Sequence, residues 1–423
     1  MRLRPGEAGS AALAGGKTHC AWQCPALFDM NAQDLYNLSP AVRLMLMGLV
    51  VALGPLAWVW MRNKNAPVAQ RLRVLTLVTL FLTFDLVIFG AFTRLTDSGL
   101  GCPDWPGCYG SASPVGAQLH IEAAQSVMPT GPVTHAKAWI EMIHRYLATG
   151  VGVLILTLTL VTWMAYREQK RSAGISTPAS VLSPWWPTAT LAWVCLQGAF
   201  GALTVTMKLF PAIVTMHLLG GLILLTLLRA QSVRYAQAHE QQKPSLLSNG
   251  NRRFVFAAFA LLWMQIALGG WVSTNYAVLA CTDFPSCQGS FWPAMDFSQG
   301  FTLWRELGVS HEGGYISFQA LTAIHYVHRL AAYVVFAVLM LLALRLHKLP
   351  AFRLQARWLA GLMLLQVATG LSNVVLGWPL LAAVGHTGGA AALVVVLTGI
   401  VFSSKTLPAP VRVSSLNASR MSA

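Results

Sequence analysis

Long apolar runs separated by polar connections dominate this 423-residue chain. Most runs are about 20 residues long, the length with which an α-helix crosses the hydrocarbon core of a bilayer. The chain is 55% hydrophobic and 10% charged, whereas a soluble domain carries about 25% charged residues. We therefore predict transmembrane helices at 43–61, 71–93, 136–166, 184–207, 211–230, 252–274, 317–344, 354–377 and 379–402.

The distribution of charge predicts how these helices are oriented. The net charge is +15, but the basic residues cluster in the connections that follow the first, third, fifth and seventh helices. The two longest connections are acidic instead, with Asp97, Asp104 and Glu122 in one and Asp283, Asp296, Glu306 and Glu312 in the other. Basic connections stay in the cytoplasm. We therefore interpret the charge distribution as a sign of membrane topology, with the acidic connections facing outward. It does not indicate a nucleic-acid partner, and we predict none.

Each acidic connection contains the same pattern, Cys-x-Asp-x-Pro-x-Cys-x-Gly, at Cys102–Cys108 and at Cys281–Cys287. The outer side of a membrane is oxidising, which favours a disulfide in each loop. Zinc sites prefer two to four residues between cysteines, so zinc is disfavoured, while free thiols or a redox-cycling pair stay open. Cys195 falls inside an apolar run and is expected to pack as a small hydrophobic residue.

The loops belong to a longer internal repeat. "EMIHRYLA" follows the first loop and "HYVHRLAA" the second, while "LQGAFG" precedes "HLLGG" as "LQVATG" precedes "HTGG". The matched positions are Glu141, His144, Arg145 and His217 in the first half, and His325, His328, Arg329 and His386 in the second. We predict an all-α integral membrane protein with two parallel four-helix-bundle repeats, 71–230 and 252–402, plus one accessory N-terminal transmembrane helix at 43–61. Residues 1–40 are an N-terminal tail, and 403–423 a cytoplasmic tail.

Two pairs of histidines inside membrane helices are the main chemical signal. A single one can be a histidine bonded to a neighbouring carbonyl, but intramembrane ionisable residues are usually functional. Two imidazoles on facing helices hold a heme iron from both sides, whereas bare zinc or copper needs additional ligands. We predict two heme sites near the outer surface, held by His144 with His217 and by His328 with His386.

The residues beside these histidines differ between the halves. Arg145 and Arg329 are candidates for binding heme propionates, and the alternative is that they extend toward lipid headgroups. Glu141 shares a helix face with His144, and the second half has His325 at that position. A carboxyl within the membrane is costly. Its presence indicates a reactive site that exchanges protons in the first half and a holding site in the second.

These motifs, with "FGAFTRLTDSGLGCPDW" and "GHTGG", resemble the cysteine-bearing bacterial heme A synthases over residues 71–402. The resemblance implies oxidation of the C8 methyl group of heme O to a formyl group, giving heme A for cytochrome oxidase, with water as the oxygen source. It implies a resident heme b on His328 and His386 that relays electrons, substrate heme on His144 and His217, and a catalytic Glu141. It also implies disulfides Cys102–Cys108 and Cys281–Cys287.

The resemblance further implies a multi-pass protein of the bacterial inner membrane, with periplasmic cysteine loops and membrane lipid around the helices. The heme O synthase and cytochrome oxidase assembly factors are expected partners, and a homo-oligomer stays open. The main alternative is a bis-histidine b-type cytochrome that passes electrons between quinol and a partner and does not need Glu141. A thiol oxidase that uses the outer cysteines and a transporter built from parallel repeats are further alternatives.

Overall fold

The structure, a computed structural model, describes residues 39–172, 183–239, 243–310 and 313–406. Most of the predicted N-terminal tail, including Cys20 and Cys24, lies outside the described residues, as do Glu312 and residues 407–423. The described part is almost entirely α-helical. Its helices are α1 (Ser39–Arg62), α2 (Val68–Leu95), α3 (Gln118–Val127), α4 (His135–Ser172), α5 (Trp185–Thr206), α6 (Pro211–His239), α7 (Asn249–Thr274), α8 (Phe297–Gly300), α9 (Phe318–His347), α10 (Arg353–Val375) and α11 (Leu380–Ser403).

Nine of the helices in the described ranges are long and apolar enough to cross a membrane, namely all except α3 and α8. Each coincides with one predicted span, which confirms the all-α membrane class. The prediction underestimated several lengths. At 1.5 Å per residue, the 38 residues of α4 extend about 57 Å, well beyond a hydrocarbon core of about 30 Å. The basic end of α4, with Lys170 and Arg171, therefore projects out of the membrane.

The helices pack mainly against their neighbours within each half of the chain. In the first half, α2 and α5 each contact both α4 and α6, while in the second half α7 and α10 each contact both α9 and α11. The halves meet where α11 packs on α2 and α6, and where α7 packs on α6. The additional helix α1 lies beside α4, where a Cβ on Gly48 would come within 2.4 Å of the Thr149 side chain. Small residues allow such close approach between membrane helices.

Polar contacts connect the halves at the ends of α2 and α7. Asp97 and Tyr276 follow these helices with φ values of 51° and 55°, and the Tyr276 hydroxyl donates to Asp97 Oδ1 at 2.6 Å. The Arg94 guanidinium lies 4.0 Å from the centre of the Tyr276 ring and donates to the Ser273 carbonyl at 2.7 Å. The ends of α2 and α7 that lead into the two cysteine loops are thereby fixed against each other.

A two-stranded parallel sheet forms where the sequence predicted only a connection and a tail. Strand β1 (Ser245–Leu247) lies between α6 and α7, and β2 (Ser404–Thr406) follows α11. Arg252 strengthens the pairing by donating to the Thr406 hydroxyl at 3.0 Å. The end of the second half is thus attached to the segment that links the two halves.

Candidate functional site

The four predicted histidines lie at matching positions in the two halves of the structure. His144 on α4 is a near neighbour of His217 on α6, and His328 on α9 has the same relation to His386 on α11. All four rings are half-buried. A histidine that only stabilises the core would be enclosed by its neighbours. Partly exposed histidines inside a helix bundle are therefore candidates for binding a group.

A glycine lies next to every one of these rings. A Cβ on Gly90 would come within 3.0 Å of the His144 ring, and one on Gly269 within 2.9 Å of the His328 ring. The corresponding distances are 3.5 Å from Gly201 to His217 and 3.2 Å from Gly370 to His386. A side chain at Gly90, Gly269 or Gly370 would press on the imidazole, whereas the distance at Gly201 is an ordinary contact. The glycines therefore let each ring pack against the backbone of a neighbouring helix.

A bare metal ion fits the same residues poorly. Within the described ranges, no group of three or more His, Cys, Asp or Glu side chains converges to hold an ion. Structural zinc takes four protein ligands and catalytic zinc three. Two histidines alone suit heme iron, whose remaining ligands come from the porphyrin itself.

The two pairs differ in the hydrogen bonds of their rings. His386 Nδ1 lies 3.0 Å from the Thr369 hydroxyl, and His328 Nδ1 lies 3.0 Å from the side-chain nitrogen of Gln265. In the first pair, His217 Nδ1 is buried and has no hydrogen-bond partner among the described atoms, while His144 stacks on Phe89 with ring centres 6.3 Å apart. The sequence analysis did not predict these partners, since they lie on other helices.

The two cysteine loops have the same internal construction. The cysteine pairs are disulfides with Cα–Cα distances of 4.9 and 4.8 Å, which confirms the pairing that the resemblance implied. The Asp104 carboxylate accepts from the backbone N–H groups of Tyr109 and Gly110 at 2.6 and 2.8 Å. Gly110 has a φ of 70°, a conformation that favours glycine. The aspartate and glycine of the repeated pattern therefore close the turn that the disulfide spans.

The arginine after each first histidine attaches its helix to the loop above it. Arg145 Nη1 donates to the carbonyls of Asp104 and Gly107 at 3.0 and 2.5 Å. Arg329 Nη1 donates to the carbonyls of Asp283 and Ser286 at 2.9 and 2.8 Å. Both side chains are buried, so the alternative that they extend to headgroups is wrong. Propionate binding by Arg145 and Arg329 stays a prediction.

Glu141 is held on both carboxylate oxygens. Oε1 accepts from Arg145 Nη2 at 2.5 Å, and Oε2 accepts from the backbone N–H of Cys102 at 2.8 Å. The side chain is only 5% exposed. A cation and an amide donor both favour the ionised carboxylate. These two donors fix the position of the Glu141 carboxyl group beneath the first disulfide loop.

His325, at the position that matches Glu141, makes a different environment in the second half. It is buried, and its Nδ1 has no hydrogen-bond partner among the described atoms. Arg329 instead donates to the Cys281 carbonyl at 3.3 Å. The second loop is thus attached by the arginine without an ion pair, and the carboxylate is confined to the first half.

The second loop carries an acidic group with a shifted pKa. The Ser286 hydroxyl donates to Asp283 Oδ2 at 2.5 Å, and the backbone N–H groups of Gly289 and Gln288 donate at 3.0 and 2.7 Å. These hydrogen bonds, above all the one from Ser286, lower the pKa of the Asp283 carboxyl from 3.8 to about 2. The ionised form is the one that closes the loop.

This shift predicts how the loop responds to acid. Because the folded-state pKa is below the ordinary one, the stabilisation by Asp283 is complete above about pH 4 and is lost as the pH falls through about 2. We expect the gap in unfolding temperature between wild type and Asp283→Asn to be constant from about pH 7 to 5 and to narrow by about pH 3. Thermal unfolding in detergent measures it, with exposed Glu122→Gln as control. A gap that widens in acid would contradict the assignment.

One further expectation was wrong. Cys195 is exposed on the surface of α5, so it faces the membrane side of the helix and does not pack in the core. An apolar run does not reveal which of its faces is buried when lipid and protein interior are equally apolar.

The sequence analysis also missed two tyrosine hydroxyls that form hydrogen bonds to the cysteine loops. Tyr146 donates to the Ala112 carbonyl at 2.7 Å, and Tyr326 donates to the Phe291 carbonyl.

Comparison with known proteins agrees with this geometry. The model of the cytochrome oxidase assembly protein family COX15-CtaA matches residues 73–398. The chain is 38% identical over 323 residues to the heme A synthase of Shewanella oneidensis, covering 76% of this chain and 93% of that relative. It is 28% identical over 332 residues to the heme A synthase of Sinorhizobium medicae, covering 74% and 84%. The family match includes both histidine pairs and both disulfide loops, and the chain belongs to the COX15-CtaA family of cytochrome oxidase assembly proteins.

Proposed function

We propose that this chain is a membrane oxidoreductase that oxidises the C8 methyl group of heme O to a formyl group, giving heme A. The observation that carries the proposal is the pair of matched imidazole sites, each beside a glycine, of which only the first has a buried carboxylate. The relatives named heme A synthase support the same reaction. A chain that only stored or carried heme would have no use for an ion pair buried in one site.

The two sites are proposed to lie in two four-helix bundles related by the internal repeat, 71–230 and 252–402. Three matched features support this architecture. Each half has the same order of helix contacts, each loop is closed by an aspartate in the same way, and each arginine attaches to equivalent loop carbonyls. The accessory helix α1, over the predicted span 43–61, lies outside both bundles.

His328 and His386 are proposed to hold the resident heme b, and His144 and His217 the substrate heme. In the second pair both rings have a polar neighbour, Gln265 beside His328 and Thr369 beside His386, and the Thr369 oxygen can accept from the ring as the partner of a metal-binding histidine does. The first pair lacks such partners among the described atoms, which suits a heme that enters and leaves. The resident heme b would carry electrons one at a time from the substrate to an external acceptor.

The residues of the first site then have defined tasks. Oxidising a methyl to a formyl group with water as the oxygen source removes electrons and protons from the carbon and its water in equal number. The reacting carbon becomes electron-poor on the way, and the fixed negative charge of Glu141 would stabilise that change. Arg145 and the Cys102 N–H keep the carboxylate in place. Protons would leave through Glu141 only if its bond to Arg145 opens.

We place the protein in the bacterial inner membrane with both disulfide loops on the periplasmic side. The acidic loops and the basic connections of the sequence support this orientation, and disulfides persist in that compartment. The heme sites then lie near the periplasmic surface beneath the loops. The enzyme that attaches the farnesyl group to heme would supply heme O, and assembly factors of cytochrome oxidase would receive heme A.

Pigment analysis tests the proposal against the cytochrome alternative. The chain is expressed with a heme O synthase in a host that lacks heme A, and the same host without the chain is the control. We expect heme A in the membrane extract, and heme b with some heme O or heme A in the purified protein. A carrier of electrons would contain heme b alone and produce no heme A, and that outcome would reject the enzyme assignment.

A further inference from the structure

The second site contains a hydroxyl whose hydrogen-bond direction is fixed by its own helix. The Thr369 hydroxyl on α10 donates to the Leu365 carbonyl at 2.7 Å. A hydroxyl has a single proton, so its oxygen can only accept from a second neighbour. That neighbour is His386 Nδ1, 3.0 Å away. The proton between the two groups therefore belongs to the imidazole, and His386 presents its Nε2 lone pair.

We propose that Thr369 is a positioning residue for the resident heme, which selects the tautomer of His386 that ligates iron and holds the ring in the ligating orientation. This inference rests on the proposed function, in which His386 is an axial ligand. Iron needs an unprotonated ring nitrogen, and a hydrogen bond from the other nitrogen fixes which one that is. Thr369 acts through His386 and is not itself a ligand.

The backbone around His386 is held from the same helix. The side-chain nitrogen of Gln366, one turn before Thr369, donates to the His386 carbonyl at 3.0 Å. A Cβ on Gly389 would come within 2.2 Å of the same nitrogen, so glycine at that position admits the Gln366 amide between α10 and α11. Gln366 thus fixes the main chain of His386, and Thr369 fixes its ring.

The first site lacks the threonine. Thr369 lies 17 residues before His386, and the residue at the same separation before His217 is Phe200. His217 Nδ1 accordingly has no partner among the described atoms. A site that fixes its ligand suits a heme that stays, and a ligand without a fixed tautomer suits a heme that is exchanged. The threonine is thus one of the features that distinguish the second site from the first.

The hydrogen bond also affects the electronic properties of the ligand. An imidazole whose Nδ1–H is donated to an oxygen is more basic and donates more strongly to iron. Stronger donation favours the ferric form and lowers the midpoint potential of the heme. Removing the Thr369 oxygen is expected to raise that potential, an effect that mere loosening of helix packing would not produce in a consistent direction.

The test uses purified full-length protein and measures heme b per polypeptide, affinity for added hemin, and midpoint potential. Thr369→Val keeps the shape and loses the oxygen, Thr369→Ala is a second variant, and Thr369→Ser restores the hydroxyl. Thr206→Val is the matched control, because Thr206 bonds to the Ala202 carbonyl of α5 at 3.1 Å. We expect about a 10-fold loss of hemin affinity and a higher potential in Thr369→Val and Thr369→Ala, with wild-type values in Thr369→Ser and Thr206→Val.

Two outcomes would overturn the inference. One is an unchanged potential and affinity in both Thr369→Val and Thr369→Ala. The other is a Thr369→Ser protein that behaves like Thr369→Val. The potential is read only from heme-bearing molecules, so poor folding does not imitate the effect. A His386→Ala protein that keeps heme b normally would instead reject the ligand assignment of the proposed function, which separates the two failures.

Discussion

A His328→Ala or His386→Ala protein will be purified with little or no heme b, whereas His144→Ala will retain heme b and fail to form heme A. The reason is that each pair lies in its own half, and loss of an axial ligand leaves iron with one protein bond. Conversion fails in all three variants. In the first two the electron carrier is missing, and in the third the substrate is not held. Heme extraction and an optical spectrum of each purified protein measure this result.

A control must show that the loss of heme b is specific to His328 and does not follow whenever a histidine of α9 is replaced. His347 lies at the basic end of α9 and is exposed, so His347→Ala should bind heme b and form heme A normally. Loss of heme b from His144→Ala with retention in His328→Ala would reverse the assignment of the two sites. Equal heme content in all variants would reject ligation by these histidines.

Glu141→Gln will lower the conversion of heme O by about 100- to 1000-fold, the usual effect of removing one electrostatic contact to a transition state, while heme b content stays at the wild-type level. Glutamine has the shape of glutamate but no negative charge. Arg145 and the Cys102 N–H hold the Glu141 carboxyl group in place. The measurement is the ratio of heme A to heme O in membranes with equal amounts of protein.

Two controls separate chemistry from structure at Glu141. Glu122→Gln neutralises an exposed carboxylate in the same connection and should leave conversion unchanged. Glu141→Leu should in addition destabilise the protein by about 3–5 kcal/mol, because Arg145 is left buried without its ion pair. Full conversion by Glu141→Gln would reduce the role of Glu141 to attachment of the first disulfide loop.

Much of the fold followed from the sequence, because a bilayer imposes a simple rule. Backbone polar groups in hydrocarbon must be bonded within their own helix, so apolar length alone located each span. The repeat could be recognised from matched loops, and it predicts that His144 pairs with His217 and His328 with His386. The same rule could not orient helix faces toward protein or lipid, and the expectation for Cys195 was wrong for that reason.

The role of Arg145 shows more clearly what the sequence alone cannot predict. From its place after His144, we expected contact with heme or with the surface, and the structure instead gives it three partners on the first disulfide loop and one on Glu141. Those partners are 38 to 41 residues away, except for Glu141. The first disulfide loop folds back over α4 in a way that depends on the geometry of its disulfide-closed turn. The spacing of residues in the sequence does not specify that geometry.

The sequence by itself determined the membrane class, the spans, the two histidine pairs and the asymmetry between Glu141 and His325. Each of these depends on residue type and on spacing along one helix, where geometry is regular. Only the tertiary structure decided that Thr369 meets His386, that Gln265 meets His328 and that Glu141 meets Cys102. Such contacts join different helices or a helix and a loop, and their distances depend on how the whole bundle packs, which no local periodicity encodes.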